Sequence, residues 1–197
     1  MISAKCNGLE LAYESFGEEG GEPLVLVMGL GAQMLQWPEG FCRLLAGEGF
    51  RVIRFDNRDI GHSTWLDHLG VPEVRKTVMR GYAGLQVEAP YLLRDMAADV
   101  VGLLDALELE AAHFVGVSMG GMISQELAIR FPARVASLVS MMSTTGDRIH
   151  SFAKPRALKA MFGKLPKGRE ARIENSVKVY RALSGPGFPF DEGLVRD

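Results

Sequence analysis

The nine residues "FVGVSMGGM", Phe114 to Met122, contain Gly116-Val117-Ser118-Met119-Gly120. The "AHFVGVS" that leads into them reads as a short buried strand, and the "GMISQELAIRF" that follows reads as a helix halted by Pro132. A G-x-S-x-G pattern between strand and helix is a nucleophile elbow. The serine occupies a strained turn, so the residues two places to either side must be small if strand and helix are to pack closely. The turn lifts the hydroxyl clear of a sheet and aims it at a helix N-terminus, where partial positive charge favours a developing oxyanion.

The segments on either side of the elbow fit one sheet. Ile2–Cys6 and Glu10–Phe16 flank Asn7-Gly8, the dipeptide best suited to a tight hairpin turn. "LVLVM" (24–28) is apolar enough for a strand buried on both faces, and "FRVIRFD" (50–56) and "VASLVSMM" (135–142) are further strands. Gln36 to Glu48 reads as a helix with Phe41, Leu44 and Leu45 at helical spacing. Tyr91 to Leu107 reads as another, with Leu92, Met96, Val100, Leu103, Leu104 and Leu107 on one face. Residues 57–90 look irregular. Strand and helix alternating over short connections predict an α/β fold: a mostly parallel sheet with an N-terminal antiparallel hairpin and flanking helices.

Charge divides the chain near residue 147. Residues 1–147 carry 11 basic and 19 acidic side chains, whereas 148–181 carry 10 basic and 2 acidic. With basic amphipathic helices expected at about 152–162 and 168–183, the chain reads as a core over 1–145 and a helical lid or cap segment over 146–197. Cys6 and Cys42 match no disulfide framework or metal spacing and read as reduced, partly buried thiols of a cytoplasmic protein. The N-terminus lacks the basic and apolar regions of a signal peptide, and no apolar run approaches the ~18 residues of a membrane span.

An oxyanion hole needs two backbone N–H groups. Met119, after the serine, supplies one. "MGLGAQ" (28–33), directly after "LVLV", offers the other through Leu30, since glycines allow the backbone to approach closely. Four segments, "LVLVMGLGAQMLQWPEGF", "VIRFDNRDIGHST", "YLLRDMAADVVGLLDAL" and "HFVGVSMGGMISQELAIRFPARVASLV", together resemble the α/β-hydrolase superfamily, and within it the esterase branch that includes aclacinomycin methylesterase. The resemblance runs through about residue 145 and more loosely into the segment resembling a lid. It implies Ser118 as nucleophile, the amides of Met119 and Leu30 as oxyanion donors, and Asp56, Arg58, Gly61 and Ser63 as a structural loop motif beside the site. Met28 stands where many members of the superfamily have a histidine, which removes side-chain hydrogen bonding there and leaves the next backbone amide unaffected.

The resemblance also implies an order of serine, acid, then histidine, with the last two on loops after later strands. The chain therefore reads as C-terminally truncated, with acid and base beyond Asp197. Two arrangements inside the chain compete: Asp147 with His150 on one loop, or His62 on the loop after "VIRFD". His113 lies at the far end of the elbow strand, and His68 in a polar loop. The expected substrate is a small-molecule ester, with no cofactor and no metal. The edge strand "VASLVSMM" calls for a homodimer partner or the missing C-terminal half to cover it.

Other chemistries fit less well. Gly29-x-Gly31 follows a strand, but Met34 replaces the third glycine of a dinucleotide fingerprint, and Asp56 is 27 residues after Gly29 rather than ~20. The basic segment has only Phe152, Phe162 and Tyr180 as aromatics and no base-reading motif, so it reads as the solvated face of lid helices rather than a nucleic-acid surface. A catalytically incomplete, hydrolase-like ligand-binding or scaffold protein is the competing reading.

Overall fold

Asn7 and Gly8 adopt φ of 49° and 79°, the left-handed pair of a tight hairpin, and join β1 (Ile2–Cys6) to β2 (Leu9–Phe16). In this computed structural model, the residues described are 2–70, 73, 77, 80, 84, 85, 87–147, 157, 163, 166–185, 187 and 189–196. They fall into two compact units, Met1–Gly146 and Asp147–Asp197.

The first unit is a six-stranded sheet ordered β1-β2-β4-β3-β5-β6, where β3 is Glu22–Val27, β4 Phe50–Phe55, β5 Ala112–Val117 and β6 Val135–Met141. The hairpin and its junction with β4 are antiparallel; β4, β3, β5 and β6 are mutually parallel. The expected mostly parallel sheet with an antiparallel N-terminal hairpin is the architecture observed.

Strand β3 is buried on both faces, and its alternation separates two cores. Val25 and Val27 face α2 (Leu93–Ala106) and α3 (Met119–Arg130), packing with Met96, Val100, Leu103, Leu104, Ile123 and Leu127. Leu24 and Leu26 face the side covered by α1 (Glu39–Gly47), with Trp37 and Cys42. The connection after β3 therefore leaves toward one face and the connection after β5 toward the other. This divergence is a topological switch point at the carboxyl ends of two adjacent strands, the place where open α/β sheets bind ligands.

Helix α1 differs from expectation. Helix was expected from Gln36, but Met34–Gln36 forms a 3-10 turn and the α-helix starts at Glu39, with Pro38 at its N-cap. Proline disfavours helical backbone at the residue before it, so the chain stays extended at Trp37, whose ψ is 104°. The buried residue of α1 is Cys42; Leu44 is 73% exposed, and Phe41 stacks on Trp37 at 5.8 Å instead of entering the core. Both cysteines are free and fully buried. Burial pushes the Cys6 thiol up to about 11, so it remains protonated and unreactive near neutral pH.

Arg58 locks the loop after β4 onto α2. Its guanidinium meets Asp99 with two bonds of 2.6 Å, and Asp99 also accepts from the Asn7 side chain at 2.9 Å. Burial alone would weaken the Arg58 charge; the hydrogen bonds and charge of Asp99 outweigh it and hold the group above its ordinary value. Tyr91 lies under the guanidinium at 4.9 Å, and burial, then a hydrogen bond to Asp59, pushes its phenol up to about 12.

In the second unit, α4 (Arg169–Leu183) packs with α5 (Glu192–Arg196), and Arg196 pairs with Glu174 and Glu192. The helix expected at about 152–162 lies almost wholly outside the described residues. Among those described, no helix is long and apolar enough to cross a membrane.

Removing Asp99 strands a buried guanidinium. Asp99→Ala is expected to lower unfolding free energy by about 3–5 kcal/mol in urea titrations, far more than an exposed pair such as Arg43 with Glu39 would cost.

Candidate active site

Strand β5 ends at Val117 and α3 begins at Met119, so Ser118 alone makes the turn between them. Its φ of 55° and ψ of −120° lie where L-residues rarely sit, at a cost of roughly 1–3 kcal/mol. The backbone of Ser118 is held on both sides. Its N–H donates to the Met141 carbonyl at 2.9 Å, and its carbonyl accepts from Gly121 N–H at 3.0 Å, Met122 N–H at 3.3 Å and the Ser143 hydroxyl at 2.7 Å.

The glycines of the pattern make space. A Cβ on Gly116 would lie 2.4 Å from the Gly120 carbonyl oxygen, and one on Gly120 would lie 2.1 Å from that of Val27. The first turn of α3 thus rests directly on the backbones of β5 and β3. It brings the N–H groups of Met119 and Gly120, which precede the first intrahelical bond, to the end of β3.

The loop after β3 meets the serine there. Gly29 is buried, and a Cβ on it would fall 3.1 Å from Ser118 Cβ and 3.6 Å from Oγ. The Gly29–Leu30 peptide continues directly from this contact, while the Leu30 side chain points outward, 64% exposed. Met119 packs partly buried against the α2–α3 core, so what either residue can offer an anion is its backbone N–H. The Met28 side chain is buried among Trp37, Leu26 and their neighbours.

Three groups fix this loop. Asn57 Nδ2 donates to the Met28 carbonyl at 3.0 Å, Asp56 Oδ1 accepts from Met34 N–H at 2.7 Å, and Ala32 N–H donates to the Gly29 carbonyl at 3.3 Å. Asp56 itself is held from beyond. Its other oxygen accepts from His62 N–H at 3.1 Å, and Ser63 Oγ donates to its carbonyl at 2.6 Å. Gly61 has a φ of 54°, and a Cβ there would fall 2.0 Å from Asp56 Oδ2. The segment from Asp56 to Ser63 is therefore a brace for the 28–34 loop on one side and, through Arg58, for α2 on the other.

Sequence reasoning passed over Asn57 and Ser143. Asn57 was findable, as a polar side chain at the end of a buried strand beside the braced loop. Ser143 was not, since its contact depends on a turn at Met142, where φ is 48°.

The histidines are dispersed. His113, near the opposite end of β5 from Ser118, bonds Ser137 Oγ at 2.7 Å and approaches Glu22 at 3.3 Å. His62 and His68 are exposed on the loop after β4. Asp147 is exposed at the start of the second unit, and His150 lies outside the described residues. Among the described residues, no imidazole hydrogen-bonds the Ser118 hydroxyl, and no three His, Cys, Asp or Glu side chains gather as metal ligands.

A family model described as alpha/beta hydrolase fold matches residues 22–197. The chain is 30% identical over 202 aligned positions to rhodomycin D methylesterase of Streptomyces sp. (strain C5), covering 93% of this chain and 62% of that protein. It is 29% identical to the enzyme of that name from Streptomyces peucetius, with the same coverages. Among solved structures, the enol-lactonase of Burkholderia xenovorans LB400 superposes with a TM-score of 0.59 at 28% identity, over 83% of this chain and 55% of that one. The chain thus spans under two thirds of the length of these relatives.

The packing of α3 on β3 is testable by size alone. Gly120→Ala is expected to cost about 3 kcal/mol or more on chemical denaturation, whereas Gly40→Ala, where a Cβ meets nothing within 4 Å on a helix surface, is expected to gain up to ~1 kcal/mol.

Proposed function

Because the chain belongs to the alpha/beta hydrolase fold family, we propose that Ser118 is the nucleophile of a carboxylic-ester hydrolase that works through an acyl-enzyme. The observation that carries this reading is the strained backbone of Ser118, which sets the residue between a helix N-terminus and the braced loop at Gly29. Backbone strain of this kind clusters at active sites, where the surrounding structure holds it in place.

In the proposed reaction, Ser118 Oγ attacks the ester carbonyl carbon as its proton passes to a base. The carbonyl oxygen becomes an anion held by the N–H groups of Met119 and Leu30. Collapse expels the alcohol, which takes the proton back. Water, deprotonated by the same base, then splits the acyl-enzyme, releasing the acid and restoring Ser118. Both donors are main-chain groups already anchored, so little reorganisation accompanies the charge.

We place the base, a histidine, and its acid in sequence C-terminal to residue 197. The dispersal of the described histidines supports this, as does the 62% coverage of the two methylesterases. In the same proposal, the second unit is a lid segment, and the β6 edge of the sheet receives further sheet or a second copy. The likeness to two methylesterases supports a methyl ester as the first substrate to assay. That no described imidazole touches Ser118 also favours a second reading, a ligand-binding relative lacking the relay.

Ser118→Ala in the full-length protein is expected to lower ester hydrolysis by at least about 10³-fold and abolish labelling by a fluorophosphonate. Hydrolysis that survives the substitution would rule out the nucleophile. A parent protein that neither hydrolyses esters nor takes the label would support the binding reading instead.

A further inference from the structure

The peptide linking Ser118 to Met119 carries, on its nitrogen side, the proposed oxyanion donor. Its other end, the Ser118 carbonyl oxygen, accepts a 2.7 Å hydrogen bond from Ser143 Oγ, shorter than the two helix N–H bonds it also receives. The contact is built by three consecutive residues. Met141 accepts from Ser118 N–H at the end of β6, Met142 bends the chain at a φ of 48°, and Ser143 then reaches the carbonyl. Space for it exists because residue 121 is glycine, where a Cβ would lie 2.6 Å from both Ser143 Cβ and Oγ.

We infer that Ser143 is a positioning residue for the oxyanion hole, acting through the 118–119 peptide. A hydrogen bond donated to an amide's carbonyl polarises the amide and strengthens its N–H as a donor, so Ser143 O–H, the peptide and the bound anion form one cooperative chain. The same bond fixes the tilt of the peptide plane, which sets where the Met119 N–H points. The corresponding bond in the loop after β3 comes from a backbone group, Ala32 N–H to the Gly29 carbonyl, and cannot be deleted. Ser143 is thus the side-chain handle on a hole otherwise made of main chain. The inference rests on Ser118 being the nucleophile.

With one donor worth ~10²- to 10³-fold and each cooperative bond strengthening its neighbour by ~10–30%, Ser143→Ala is expected to lower kcat by about 2- to 8-fold. KM should stay unchanged, and affinity for an alkyl boronic acid, which forms a tetrahedral anion on Ser118, should fall by the same factor. Ser140→Ala is the control in the full-length protein. Its hydroxyl also faces Gly121 but bonds Gln125 rather than the 118–119 peptide, so kcat and boronate affinity should match the parent. A Ser143→Ala protein with parental kcat and boronate affinity, or one whose loss appears in KM alone, would overturn the inference while leaving the nucleophile standing. Ester hydrolysis that persists in Ser118→Ala would instead remove both.

Discussion

A side-chain carbon at residue 120 would overlap the carbonyl oxygen of Val27, and the site depends on its absence. Without it, the first turn of α3 lies directly against the end of β3, and the turn at Ser118 can close on a single residue. With it, the helix would be pushed off the sheet, and the loop at Gly29 would no longer border Ser118. The strain at Ser118, about 1–3 kcal/mol, is sustained by the bonds that β6 and the loop after it make to both sides of its backbone. Strain and support are parts of one arrangement, since the turn persists only because the surrounding sheet over-determines it.

The switch point arises because consecutive connections leave the sheet toward opposite faces, α1 on one side and α2 with α3 on the other. Left alone, the 28–34 loop would be a flexible run with three small residues. Asp56 and Asn57, at the end of the neighbouring strand, bind its two ends through Met34 N–H and the Met28 carbonyl. Arg58, the next residue, carries the same brace to α2 through Asp99. One short segment thus joins the loop, the hairpin and the helix, and the side chains that do so, Asp56, Asn57, Arg58 and Ser63, are buried and hydrogen-bonded.

Much of this was legible from residue types. The strands showed as apolar runs, the elbow showed as glycines around a serine, and the alternation of strand and helix pointed to a parallel sheet. What misled was local. The spacing of Phe41, Leu44 and Leu45 marked a helix but not its buried face: Cys42 is the fully buried residue of α1, Leu45 packs partly against the core, and Leu44 is exposed. Pro38 shifts the helix start, and so the face presented, by three residues relative to Gln36. The Arg58–Asp99 pair joins positions 41 apart in sequence, and no periodicity marks it.

By itself, the sequence determined the sheet's composition, its hairpin and the position of the serine, because these depend on side-chain size, apolarity and backbone freedom within a few residues. Tertiary structure decided which loop lies against that serine, which carboxylate braces the loop, and that Ser143 reaches the Ser118 carbonyl. Those contacts join positions 22 and 25 residues apart, or farther, as between Gly29 and Ser118. They are set by strand order and helix placement, which burial of two cores on either side of β3 selects and no local pattern encodes.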